Sequence, residues 1–456
     1  MKLSGWILRI SLIAMVTLSL VFSFLIWQNP SRLGRQETNV TVKTTKDPNV
    51  AQQASHVFSP TTAYYQQDDR KTMLFTADGA ITDKLRTAMT DWQLTKMGPA
   101  KKLSASDYTT LLATHESLQL LYAGPVAFDR FNRTFFAQRL TTGDLDFQFT
   151  RILVDLTGAG EQLQFINDRT RTVHTAPVTG AKVAPVRDLV RRAATTGFDI
   201  TEMRLSGREV ATFNTAIKVT PYTFLLDQQS ANHFVSLLMP SNSASAVDTR
   251  EIGAETVYTR GASQRLTLDT DTGGIQFEDA TVTTRDQTLA TALRQGYTSL
   301  GKLGLQGLNT MRYFGYDTAT RTVTFRACAL GLPIFNANDN GVVTTANTQS
   351  GRQLNFSMYN LTVAIPTTQA AVSLPSTATV FAQLQGAGYD VSALQDMVLG
   401  YYWKADSESS QVVSLTPTYF VKINGLYKRY TQWVDPTDEA ATASEVKGAS
   451  TGQALQ

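Results

Sequence analysis

Two hydrophobic periods recur along this chain, and one stretch obeys neither. Residues 10–31 (ISLIAMVTLSLVFSFLIWQNPS) are uncharged and almost wholly apolar over 22 positions. As a helix this run is ~33 Å long, about one bilayer core. It ends in bulky Phe24-Leu25-Ile26-Trp27 and offers no small-x-small cleavage site. It therefore predicts an uncleaved signal anchor with Trp27 at the far interface. Lys2 and Arg9 precede the run, and Arg32 and Arg35 follow it. The N-terminal amine tips that balance toward an N-terminus inside. A head of nine residues is too short to fold, so everything that can fold lies on the other side.

The expected organisation follows. Residues 1–9 are a cytoplasmic head, 10–31 a single transmembrane anchor, and 32–55 a polar linker without hydrophobic periodicity. Residues 436–456 are small and polar with no aromatics, the composition of a disordered tail. The rest is expected as three mixed α+β units.

In the first unit, 56–195, Ile81, Leu85, Met89 and Trp92 fall on one face of a helix. A second helix starts near Ser106 with Asp107 in its first turn, and a third spans Pro185–Thr195, closed by Gly197. Leu118–Tyr122 and Asp146–Asp155 read as strands, and Glu161–Ile166 with Arg171–Thr175 as a hairpin. The second unit, 196–286, is β-rich. Its clearest strands are Tyr222–Leu226, Thr256–Arg260, Arg265–Asp269 and Gly274–Glu278, with a short helix Asn232–Met239 stopped by Pro240. The third unit, 287–435, opens with a helix at Leu289 that leads into Gly301, Gly304 and Gly307. Met311–Tyr316 and Arg321–Leu330 form a hairpin, and Leu332–Asn336 with Val342–Thr345 a second one. Leu354–Ala364 is a strand, Thr377–Gln385 a helix, and Leu399–Lys404, Val412–Leu415 and Thr418–Ile423 complete a sheet.

Composition removes several function classes. Lys and Arg number 41 against 38 Asp and Glu, a net +3. No basic cluster is longer than a pair, which argues against a nucleic-acid binder. One cysteine, Cys328, excludes an internal disulfide and any Cys-based metal cluster. A chain of 50.0 kDa outside the cytoplasm with no disulfide suits a Gram-positive bacterium.

The candidate chemistry is thin. Ser299-Leu-Gly-Lys302 matches S-x-x-K, but the K-T-G partner motif is absent. Asp269-Thr-Asp271-Thr-Gly273-Gly274 resembles the start of a calcium loop. It has Gly273 at the fifth position and Ala280 at the twelfth, so a hairpin turn is expected. Asp68-Asp69 and Asp144/Asp146 read as solvated carboxylates, and Cys328 as a small buried hydrophobe. Tyr64-Tyr65, Tyr401-Tyr402-Trp403 and Tyr427/Tyr430/Trp433 are aromatic clusters, expected as core and cross-strand pairs. No catalytic residue, cofactor site or metal site is assigned. Within the anchor, Ser11, Met15, Ser19 and Ser23 recur every fourth residue. This stripe of mainly small side chains lets another helix approach closely, unless each serine bonds its own turn and faces lipid.

Several strings resemble one family in their order along the chain. They are Leu25-Ile-Trp27, Pro221-Tyr-Thr-Phe-Leu-Leu-Asp227, Arg312-Tyr-Phe-Gly-Tyr-Asp317 with Val323-Thr-Phe325, and Gly331-Leu-Pro-Ile-Phe335. They continue with Leu394-Gln-Asp396, Gly400-Tyr401 and Val412-Val-Ser-Leu-Thr-Pro417-Thr-Tyr-Phe-Val-Lys422. Together with the anchor and linker they resemble the YycH (WalH) family, membrane-anchored regulators of the WalK (YycG) sensor histidine kinase in low-GC Gram-positive bacteria. The resemblance implies a three-domain ectodomain whose last domain is similar to the companion protein YycI. It implies no enzymatic activity and no cofactor. It also implies a complex with the kinase and a YycI-type partner in which transmembrane helices make much of the contact, and it leaves a homodimer open. The competing expectation is an anchored protein that binds or processes cell-wall glycan, which needs a carboxylate pair in a cleft or an exposed aromatic groove.

Overall fold

The computed structural model describes Met15, Ser19 and residues 54–437, except 159–160, 241–245, 285–287, 306–309, 366–368 and 406–410. The chain divides into two units, Met1–Asp47 and Pro48–Gln456. In the first, Met15 and Ser19 are helical and exposed. The rest of the expected anchor, the linker to residue 53 and the tail from 438 lie outside the described residues. Among the described residues no helix is long and apolar enough to cross a membrane.

The second unit is mixed α+β and rich in sheet. Among the described residues its first sheet has ten strands, nine of them in the order Arg208–Phe213, Phe198–Leu205, Arg70–Met73, Thr62–Gln67, Ser117–Ala127, Gln148–Asp155, Gln162–Asn167, Thr172–Thr179 and Gln93–Leu94. Lys101–Lys102 adds to Thr172–Thr179. The alternation of these strands sorts side chains to two faces. Leu120, Ile152 and Phe165 point into the main core. That core also takes Leu85 and Met89 of the helix Ile81–Met89, and Val186 and Val190 of the helix Val183–Ala194. On the other face, Leu153, Ile166 and Val173 meet Tyr108 and Leu112 of the helix Ala105–Leu112 in a small separate core. Ser104 starts that helix by accepting the Asp107 N–H at 3.1 Å, two residues ahead of the expected Ser106.

A second sheet has fourteen strands and runs from Asp248–Ile252 at one edge to Tyr359–Ile365 at the other. Its register is antiparallel except where Leu332–Phe335 lies parallel to Asp396–Ala405. The helix Leu289–Lys302 packs close on this sheet. A Cβ at Gly296 would stand 3.0 Å from the Thr345 methyl and 3.3 Å from Val323 Cβ, so glycine sets the approach.

Four local expectations change. The hairpin Phe198–Phe213, placed by sequence in the segment 196–286, pairs with Arg70–Met73 in the first sheet. Leu332–Phe335 does not pair with Val342–Asn347. It bonds to Thr322–Ala329 and Asp396–Ala405 instead. All four of its residues are buried, the pattern of a strand covered on both faces rather than of a hairpin arm. The run Leu354–Ala364 breaks at Met358 into Arg352–Ser357 and Tyr359–Ile365, which sit far apart in the sheet. The parity of buried positions shifts there, from Leu354 and Phe356 to Leu361. Conversely, Val412–Ile423 is one strand that runs through Pro417. Residues 416–419 pair on one side only, where a missing N–H costs nothing. Gly197 does follow the helix Val183–Ala194, but for space rather than for a left-handed cap: a Cβ there would lie 2.5 Å from the Met73 carbonyl.

The two sheets share one buried core. They meet where Tyr313 Oη donates to the Pro125 carbonyl at 2.7 Å and Arg312 pairs with Asp83 at 2.5 Å. Arg208 adds a pair with Asp396 at 2.9 Å.

Candidate functional site

The sequence-predicted contact stripe is only partly visible. Met15 and Ser19 are each helical and exposed. Ser11 and Ser23 lie outside the described residues.

Each catalytic motif resolves into a local structural part. Ser299 is buried in the last turns of the helix Leu289–Lys302. The Asp269 carboxylate accepts the N–H groups of Asp271 (2.9 Å) and Thr272 (3.1 Å), which makes a hairpin turn of the calcium-like string. Among the described residues no group of three His, Cys, Asp or Glu could hold a metal ion. Asp68 stands 3.0 Å from His115 on the surface, and Asp144 4.0 Å from His174. Burial pushes the Cys328 thiol up to about 11, so it stays protonated and unreactive at neutral pH. Tyr64, Tyr65, Tyr401, Tyr402 and Trp403 are buried.

Two constellations remain; sequence reasoning missed the first and, of the second, singled out only Tyr402, Tyr427 and Trp433 as aromatic clusters. The first is a charge network on the satellite-core face of the ten-stranded sheet. Arg151 is fully buried at its centre. Its guanidinium donates to Asp168 at 3.2 Å and to Glu202 at 2.6 Å. Lys71 bonds the other Glu202 oxygen, and Tyr108 Oη donates to Asp168 at 2.9 Å. Burial alone would lower the Arg151 pKa, but Asp168 and Glu202 reverse that and hold it above its ordinary value. Burial would raise the Glu202 pKa, yet Arg151 and Lys71 bring it below the ordinary carboxylate range. Burial lowers the Lys71 pKa more than Glu202 raises it. The ions satisfy one another, which makes this a structural pin rather than a waiting site. A signal was present in the sequence: Arg151 interrupts the apolar string Phe149–Val154.

The second constellation is a small aromatic core on the fourteen-stranded sheet, against which Ala123 of the first sheet packs. Phe314, Phe335, Tyr402 and Phe420 form their own cluster, with Phe335 stacked on Phe420 at 3.9 Å. Cations lie over these rings. Arg326 stands 4.1 Å from Phe335 and 4.9 Å from Phe314, and Arg429 4.2 Å from Tyr402. Lys422 and Lys428 lie over Tyr427 and Trp433. Separately, the longest uncharged segment of the chain is 353–389, longer than the anchor run itself. It supplies the edge strand Tyr359–Ile365 and the helix Thr377–Gly386. A scan for charge gaps would have found it. The aromatic arrangement holds no nucleophile and no acid–base pair. Its rings and Arg326 are buried, so it is a second small core.

Comparison with known proteins bears on this picture. The model of the YycH protein N-terminal domain matches residues 7–193, and that of the YycH protein C-terminal domain matches residues 209–435. A search of curated proteins finds no match. Among solved structures, the crystal structure of YycH from Bacillus subtilis is similar, with a TM-score of 0.66 at 15% identity. The match covers 83% of this chain and 97% of that one.

Proposed function

The chain belongs to the YycH family, and from that premise we propose that it is a non-enzymatic, membrane-anchored regulator of a WalK/YycG-type sensor histidine kinase. Family membership carries the general role, regulation of the WalK/YycG two-component system. The finer reading is as follows. Residues 10–31 hold the chain in the cytoplasmic membrane in a single pass, N-terminus inside, and the body from residue 54 onward is extracytoplasmic. The kinase and a YycI-type companion contact it through the membrane helix, along Ser11, Met15, Ser19 and Ser23, and through the ectodomain. Regulation of cell-wall metabolism follows from the kinase.

The observation that carries this reading is the extent of the family matches. The N-terminal match begins at residue 7, ahead of the apolar run, so that run belongs to the region the family shares. A two-state kinase needs only a partner with different affinity for its two states, and ~1–3 kcal/mol of coupling shifts activity several-fold. A helix stripe and a non-catalytic contact surface are sufficient for that.

Co-purification tests it. Full-length tagged protein, solubilised in mild detergent, should retain a sensor kinase, and so should a truncation ending at Gln36. The Ser19→Leu/Ser23→Leu double variant should retain less. Retention by the full-length chain alone moves the contact outside the membrane. Retention by neither overturns the regulator reading.

A further inference from the structure

The first residues of the extended body are not a surface lead-in. Ala54, Val57, Phe58, Ser59 and Pro60 are buried. They form a short turn in which the Phe58 N–H donates to the Ala54 carbonyl at 3.1 Å and the Ser59 hydroxyl to the Ser55 carbonyl at 3.2 Å. The Thr61 N–H then bonds Leu121 O at 2.8 Å, and the chain enters Thr62–Gln67, an interior strand of the first sheet.

Both sheets' layers grip this root. From the second, the rings of Tyr297, Tyr313 and Phe325 lie 5.8, 5.9 and 6.3 Å from Phe58. From the first, the Arg130 guanidinium lies 4.4 Å from the Phe58 ring and 4.8 Å from Tyr297. His56 Nδ1 stands 3.7 Å from the Asp83 oxygen that pairs with Arg312 across the junction. The two layers meet here backbone to backbone: a Cβ on Gly124 would fall 2.7 Å from Gly315 Cα. Such a junction has little room to deform gradually. Packed interfaces move between discrete arrangements.

We propose that this root, centred on Phe58, is a wedge that couples the membrane-proximal segment to the junction between the two sheets, so that a displacement on either side is felt on the other. The proposal deepens the regulator reading and rests on it for its direction of use. A residue that touches both layers changes both when it moves, whereas a tether on the surface of one layer would not.

The test uses the full-length protein in nanodiscs with its kinase, and reads amide exchange and kinase autophosphorylation. Phe58→Ala is expected to speed exchange about tenfold or more in residues 128–132 and 311–317 together. It should abolish the effect on autophosphorylation while co-purification persists. Phe58→Leu, the milder variant, should do the same to a smaller degree if Phe58→Ala fails to fold. Four Gly/Ser residues inserted after Asp47 should leave exchange unchanged and still remove regulation. The wedge falls if that insertion leaves regulation intact, or if exchange rises in one layer only. It also falls if Leu112→Ala, which disturbs only the satellite core, lowers regulation as much. A wild-type protein without effect on the kinase overturns the regulator reading instead, and the exchange arm then decides the coupling by itself.

Discussion

Arg151 and Arg326 are both arginines buried within a sheet, and the two regions hold them differently. In the first sheet, Arg151 is neutralised by Asp168 and Glu202, with Lys71 sharing Glu202. In the second, Arg326 has no carboxylate within salt-bridge distance among the described residues. It donates to the Ile334 carbonyl at 2.9 Å and lies over Phe314 and Phe335. Burial without an anionic neighbour in contact lowers its pKa. The first solution is closed: each ion needs the others, and nothing is left for a partner. The second is equally buried but apolar: a carbonyl and two ring faces hold the cation in place of a counter-ion. The contrast shows two ways in which one fold buries a cation.

Several experiments would break or sharpen that contrast. Arg151→Met should have the largest effect. It leaves Asp168 buried without its cation and Glu202 with Lys71 alone, and should cost ~3–5 kcal/mol in urea unfolding. A loss below ~1 kcal/mol would mean that water reaches the network, and the closed reading would fail.

Asp83 comes next, and its effect depends on pH. Burial favours its neutral acid, but His56, Arg312 and Ser59 outweigh burial and bring its pKa down to about 2 from 3.8. A carboxyl depressed in the folded state stabilises above its unfolded pKa and loses that contribution as pH falls through the folded one. About 2 kcal/mol should therefore be present at neutral pH and disappear between pH ~4 and ~2. In Asp83→Asn the slope of stability against pH should flatten in that window.

Arg326→Met should cost less, ~1–2 kcal/mol, from one hydrogen bond and two ring contacts. Arg326→Lys should not restore it, because an ammonium cannot stack its plane on Phe335. Thermal unfolding of the three proteins would show this order. Arg70→Ala should be smallest. Its pair with Asp199 at 2.9 Å is largely exposed, so a change of ~0.2–1 kcal/mol that fades in salt is expected.

Local structure was legible wherever a period extended over two turns or five alternating residues. Ile81, Leu85 and Met89 are buried in one helix as their spacing predicts. The turns at Asn167-Asp168 and Asp269–Gly274 form from side-chain bonds to nearby backbone N–H groups, a preference written into Asn and Asp themselves. The aromatic strings were read as core, and Tyr64, Tyr65 and Tyr401 are core. The buried cluster around Arg326 was less legible. Arg326, Phe335 and Tyr402 come from three strands up to 76 positions apart, and no window of sequence shows them together.

The sequence by itself determined the type of most elements, the poverty of catalytic chemistry and, through strings such as Gly331–Phe335 and Val412–Lys422, the family. These depend on side chains close in sequence, where backbone geometry fixes who can meet whom. Only the tertiary structure decided the strand order, the move of Phe198–Phe213 into the first sheet and the parallel seat of Leu332–Phe335. It also decided that Arg151 is matched by carboxylates 17 and 51 residues away. Strand pairing joins backbones of nearly equal chemistry, so local sequence leaves many partners almost degenerate. The choice is made by which faces must be buried together and which charges must be neutralised once they are.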